Sequence, residues 1–221
     1  MRALRTRSLI IETAAREFGE RGFEGVSLND LVLASGVSKG AFYFHFPSKE
    51  EVALAAFRAK QEELIARLVA GSEPGGTVTD QVVSLMLRRA QLVQDDPSLR
   101  CVIRLGSELN VRSGSESEYA SFHDLAVDLI ADLVAQGQQG REFRRELDPQ
   151  ATARAIFAWI VGLDTLSLLA SDGKDLKERT SEVLTLLVPA LSAGTPGPAP
   201  SARPHRNPKS ASDRAVKVSS P

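Results

Sequence analysis

The chain has 221 residues with 27 basic and 28 acidic side chains, so its overall charge announces no nucleic-acid partner, and any positive surface must come from uneven placement. With 43% hydrophobic residues it can bury a real core, while a single cysteine, Cys101, excludes an intramolecular disulfide framework, cannot by itself make a zinc site and fits a reducing cytoplasm. Arg2, Arg5 and Arg7 lead at once into an amphipathic pattern without export features, and no apolar run is expected to near the roughly 20 residues that span a bilayer, Asp164 interrupting residues 155–170.

In chain order, Ile10, Ala14 and Phe18 recur at a helical period over residues 6–21, and Gly22 suits the stop. Ser27 with Asp30 is a capping-box pattern ahead of a short second helix that Gly36 ends. Ser38 caps a third helix over residues 39–46, closed by Pro47, which lacks a backbone donor. Ser48 with Glu51 opens a long fourth helix that runs to Gly71. Beyond the loop "GSEPGGT", helices are predicted over 78–94, 98–110, 118–136, 149–171 and 176–191. Turn residues separate them, with Asp95 and Asp96 before Pro97 read as a turn and helix cap rather than a metal motif. Residues 194–221 are Pro, Ser and Ala with scattered basic side chains, the composition of a disordered tail. No strand pattern and no repeat occurs, so the fold class is all-α, with about nine helices.

The stretch "SGVSKGAFYFHFPSKEEV" spends four aromatic residues in a chain only 5% aromatic. Two short helices joined by "ASGVS" have the layout of a helix-turn-helix. On a helical wheel Ala41 pairs with Phe44 and Phe42 with Phe46, whereas Lys39, Gly40 and Tyr43 share another face. Phe44 above all, with Phe42 and Phe46, is therefore expected to anchor the third helix. A helix entering the major groove reads bases from its first turn, where Lys39 supplies donors and Gly40 permits close approach. Tyr43 and His45 can donate to phosphates, and Ser27 and Lys49 sit at helix starts where phosphates are held. Periodicity alone leaves this reading level with that of an ordinary helical bundle rich in aromatics.

The order of residues is more informative. "VSLNDLVLASGVSKGAFYFHFPSKEEVALAAF", residues 26–57, resembles the N-terminal signature of the TetR (tetracycline repressor) family. "KGAFYFHFPSKE" is similar to the γ-butyrolactone receptor subgroup, with Phe42 where Leu is usual. The resemblance implies a homodimer gripping a palindromic double-stranded operator, with DNA contacts from Ser38, Lys39, Gly40, Tyr43, His45 and Lys49, and a variable C-terminal domain for a small hydrophobic effector. It implies a helix-turn-helix DNA-binding domain over residues 1–50, with helix four to about 70 as the link. A ligand-binding and dimerisation domain follows over 51–193, and the tail over 194–221.

The fragment "DDPSLRCVIRLGSEL" resembles a helix that runs along the receptors' ligand cavity with an Arg-Leu pair, here Arg104 and Leu105. Phe122 falls where those receptors carry a Trp over the lactone, which keeps an apolar platform but loses an indole donor. A furan or butenolide then becomes as plausible as a butyrolactone. Tyr119, one helical turn earlier, could offer a hydroxyl, and its alternative is an exposed tyrosine beside a loop. The expected ligand-binding residues are Leu85, Leu105, Tyr119, Phe122 and Trp159, with a core or dimer-interface role open for Trp159. Asp164 would need a partner if buried, across a cavity or from a symmetry mate. By resemblance, residues 149–171 and 176–191 pair with their twins in a four-helix bundle, Val183, Leu184, Leu186, Leu187 and Leu191 providing apolar length.

Catalysis is not expected. His45, His123 and His205 show no metal-ligand spacing, and "RSGSES" lacks a nucleophile-elbow context. No cofactor and no metal is called for. The expected function is a ligand-responsive transcriptional repressor, cytoplasmic and nucleoid-associated when on DNA. The alternative is a pseudo-receptor or ligand-sequestering helical protein that responds to an antibiotic.

Overall fold

The computed structural model describes residues 2–71, 75–113 and 118–194, with side chains except at 2, 107, 109–113 and 118–121. The tail expectation and Tyr119's side chain fall outside what is described. The helices are α1 (Arg2–Arg21), α2 (Leu28–Ser35), α3 (Lys39–His45), α4 (Lys49–Ala70), α5 (Val78–Asp95), α6 (Pro97–Ser113), α7 (Glu118–Gln139), α8 (Pro149–Ser171) and α9 (Leu176–Leu191). Among the described residues there is no strand beyond one isolated bridge, Phe143 to Ser192.

Side-chain caps set most of the starts. Ser27 and Asp30 form the full capping box of α2, Ser38 accepts from the Ala41 N–H at α3, and Ser48 from the Glu51 N–H at α4. Gly36 ends α2 in the left-handed region, at φ 66°. Asp96 accepts from Ser98 N–H and Oγ at 2.9 and 2.8 Å, the cap expected of that turn. Three boundaries lie beyond the expected ones: α1 begins at Arg2, α6 runs to Ser113, and α7 continues through Gly137 instead of stopping there. The glycine serves packing, because a Cβ would lie 2.2 Å from the Phe143 ring.

The largest core cluster joins α1, α2 and α3 to α4 and α6, through Ile10, Phe18, Phe42, Phe57, Val102 and Leu105 among others. Helix α6 is clamped to the N-terminal unit at three points. Gly19 lets α1 approach the Pro97 carbonyl, Arg104 Nε donates to Gly19 O at 3.0 Å, and the Glu108 carboxylate accepts from the Phe23 N–H at 2.8 Å. A second core gathers α5, α7, α8 and α9 around Met86, Val134, Phe143, Ile156 and Leu187.

The expectation that no apolar stretch nears membrane-spanning length fails for α8, whose 23 residues meet it by length and composition. The helix is apolar on more than one face because Ile156 and Phe157 are buried while Trp159, Leu166 and Leu169 are exposed.

Candidate nucleic-acid interface and internal cavity

Helix α3 has seven residues, so its attachment rests on few side chains. Phe42 and Phe46, four apart, are 0% and 2% exposed and define its buried face. Phe44 lies two residues from each, close to the opposite side of the wheel, and is 81% exposed. The expectation that Phe44 is the chief anchor is therefore corrected: the i, i+4 pair buries, and the residue between them points out. Phe44 stands edge-on to His45 at 5.2 Å.

The face predicted for contact is open. Ser38, Lys39, Gly40 and Tyr43 are exposed, and the Lys39 ammonium lies 5.9 Å from the Tyr43 ring centre. A Cβ on Gly40 would meet nothing within 4 Å, and its backbone is not in the left-handed region. Among the described residues, neither packing nor backbone geometry asks for glycine there. Ser27 is exposed, its Oγ accepting from the Asp30 N–H at 3.1 Å. Lys49, expected at a phosphate, also has partners within the protein: Nζ donates to Phe23 O at 2.9 Å and sits 4.0 Å from the Phe23 ring centre. The ammonium ties the start of α4 to the α1–α2 turn.

Behind this unit lies a cavity of about 210 Å³ between α4, α5, α6, α7 and α8. Leu64, Ile65 and Leu68 of α4 and Val102 and Ile103 of α6 form one wall, with α7 and α8 opposite. Of the residues named as ligand contacts, Leu85 and Phe122 line it. Leu105 does not: it is fully buried in the cluster against α1 and α4, one turn past Val102. Its neighbour Arg104 donates to Gly19 O and pairs with Asp172 at 3.2 Å, so the Arg-Leu pair clamps helices together. Trp159 also misses the cavity, being 42% exposed on α8. Phe122 meets Phe57 of α4 edge-to-face at 6.3 Å, which connects the cavity to the helix that follows the reading unit.

Sequence reasoning missed the cavity's polar feature. Asp164 is 4% exposed and held by both ends of the Arg89 guanidinium, one bond at 2.8 Å. The requirement that a buried Asp164 have a partner was legible, but not which arginine answers it. Burial pushes the Cys101 thiol well above its ordinary value, as befits an inert core residue. Among the described residues, no group of His, Cys, Asp and Glu could hold a metal ion.

Residues 10–56 match the model of bacterial regulatory proteins, tetR family. A protein solved in work on the molecular basis for control of antibiotic production by bacterial hormones is 31% identical, with a TM-score of 0.74, over 86% of this chain and 99% of that one. TylP, a TetR regulator from Streptomyces fradiae, is 30% identical with a TM-score of 0.65, over 87% and 89%. This chain belongs to the TetR family. The A-factor receptor protein of Streptomyces griseus is 26% identical over 86% of this chain, which spans 65% of that receptor's length. As a TetR-family protein the chain is a transcriptional regulator rather than an enzyme. Repressors of this family bind operator DNA as dimers and respond to small-molecule effectors.

Proposed function

We propose that this TetR-family regulator is a cytoplasmic repressor, released from a palindromic operator when a small hydrophobic signal enters the cavity. The observation that carries the reading is the cavity wall itself. Its α4 and α6 residues belong to the two helices that pack directly on the reading unit. Occupancy that displaces either helix changes the spacing of the two α3 helices in a dimer.

On the DNA side, Lys39 reads bases and Gly40 admits the groove floor, since nothing inside the chain explains a glycine at that position. Ser38, Tyr43 and His45 set the register through phosphates, with Ser27 and Lys49 supporting the flanking helix starts. The dimer face is the exposed apolar surface of α8 and α9, where Trp159, Leu166, Leu169 and Leu186 stand out. The effector class is a γ-butyrolactone or a related furan or butenolide, on the likeness to the A-factor receptor and the apolar cavity lining. A pseudo-receptor responding to an antibiotic is the second reading, and Phe122 in place of a Trp favours it.

The test is linkage. Operator affinity is measured by fluorescence anisotropy with and without effector, and effector affinity with and without operator. The two factors must be equal, at about 1 to 3 kcal/mol of coupling. An effector that fills the cavity and leaves operator affinity unchanged refutes the proposal.

A further inference from the structure

Among the described residues the cavity is lined almost wholly by aliphatic and aromatic side chains, and the ionisable ones on its wall are Arg89 and Asp164. The Asp164 side chain is 5% exposed and that of Arg89 21%, and each carboxylate oxygen accepts one guanidinium N–H. Thr165, also on the lining, donates to the Val161 carbonyl. The described wall thus carries one cation paired with one anion, with its polar groups on α5 and α8.

That arrangement discriminates among ligand head groups. A carboxylate entering the cavity competes with Asp164 for Arg89, and success strands a buried carboxylate without its cation. An ammonium competes with the guanidinium for Asp164 and places a second cation beside it. Either outcome breaks a buried pair by removing one partner, the expensive way to disturb such a pair. An uncharged hydroxyl asks for no exchange. Each Asp164 oxygen carries a second lone pair beyond the one Arg89 uses, and a ligand O–H can donate to it. A neutral ligand without a donor leaves that acceptor unused.

We infer that the Arg89–Asp164 pair is the polar end of the effector cavity, and that it selects uncharged amphiphiles whose head donates a hydrogen bond to Asp164. The apolar remainder of the ligand lies along Leu64, Ile65, Leu125 and Leu129. This rests on the proposed use of the cavity as the effector site and adds the ligand's charge and donor requirement to it.

Four probes with matched unbranched tails test it on the full-length protein by isothermal titration calorimetry at neutral pH: 1-decanol, decanoate, decylammonium and decyl methyl ether. Decanol is expected to bind best, with the ether and both ions weaker by about tenfold or more, the range for losing a hydrogen bond to a charged group. The double variant R89M/D164L removes both charges together, which commonly leaves stability unchanged or raised. It is expected to bind decanol and the ether within about threefold of each other. Decanoate or decylammonium equalling decanol, or the double variant keeping the wild-type preference for decanol over the ether, overturns the head-group assignment alone. If no probe binds, or if binding survives a Leu64→Arg change that fills the cavity in a variant with a native circular-dichroism spectrum, the cavity is not the site and the proposed function falls with it.

Discussion

Replacing Gly19 by alanine tests whether α6 and the reading unit move as one body. A Cβ at this position would lie 1.8 Å from the Pro97 carbonyl oxygen, 2.9 Å from its carbon and 3.3 Å from the Cys101 nitrogen, where ordinary contact begins at 3.4 Å. All three obstacles are backbone atoms of α6, so no rotamer change clears them and the two helices must part. Parting them stretches the Arg104 bond to Gly19 O, at 3.0 Å, and the Glu108 bond to the Phe23 N–H, at 2.8 Å. Overpacking costs about 1 to 3 kcal/mol, and losing one charge-assisted hydrogen bond adds about 1.5 to 3 kcal/mol. A destabilisation of about 4 kcal/mol lowers the Tm of a chain this size by roughly 8 to 16 °C. Calorimetry at fixed protein concentration measures it, since a dimer's Tm depends on concentration. Gly40→Ala is the matched control: a Cβ there is unobstructed, and alanine is the better helix former by up to about 1 kcal/mol. Its Tm should hold or rise while operator affinity falls. A Gly19→Ala protein melting within about 2 °C of wild type would refute the close approach of α1 to α6.

Lys39→Ala should narrow the affinity gap between operator and unrelated DNA in competition anisotropy, and unchanged selectivity would remove Lys39 from base reading. Lys49→Ala should lower thermal stability as well as affinity for all DNA, because Nζ is engaged with the Phe23 carbonyl and ring. Leu166→Glu puts a charge in the exposed apolar stripe of α8 and should shift the protein towards monomer in sedimentation velocity without loss of helicity. Hydroxyls of Ser167 and Ser171, and then Arg179, hold the Asp175 carboxyl at about 2, below the ordinary 3.8. A lowered folded value contributes stability that is complete above pH 3.8 and lost as pH falls towards 2, so Asp175→Asn should flatten acid unfolding across that window.

Much of the fold was legible because its signals are local. Ser27, Ser38 and Ser48 each cap a helix by reaching three residues along the chain, and Gly36 needs only its own left-handed backbone. Where the reading failed, the deciding partner was distant. The choice between Phe42 and Phe44 depended on which side of a two-turn helix meets the core, and the wheel offered both faces an aromatic. The orientation of Leu105 followed from the clamp between α6 and α1, made by residues some 85 positions apart in sequence. Gly137 looked like a helix stop and proved to be a seat for Phe143. Arg89 gave no local sign of its tie to Asp164, 75 residues on.

The same distant contacts bear on how a ligand could move the reading heads. Lys60 of α4 is 3% exposed, and its ammonium lies 2.6 Å from Glu12 of α1 and 2.8 Å from Glu63. Displacing α4 along its length therefore carries α1 with it or breaks a buried cation from its carboxylates. Helix α6 is held to α1 at Gly19 and Arg104, and to the α1–α2 turn at Glu108. The reading unit is thus fastened to both α4 and α6, and under the proposed mechanism a ligand would shift it by parting these helices from the α7 and α8 wall. The coupling required is about 1 to 3 kcal/mol. Burying one to four more methylene groups against Leu64, Ile65 and Leu68 in the released state than in the bound state supplies that much, at about 0.8 kcal/mol each. Effector chain length should therefore tune the release of DNA more steeply in the wild type than in a variant that lacks the Lys60–Glu12 tie between α4 and α1, such as Lys60→Met.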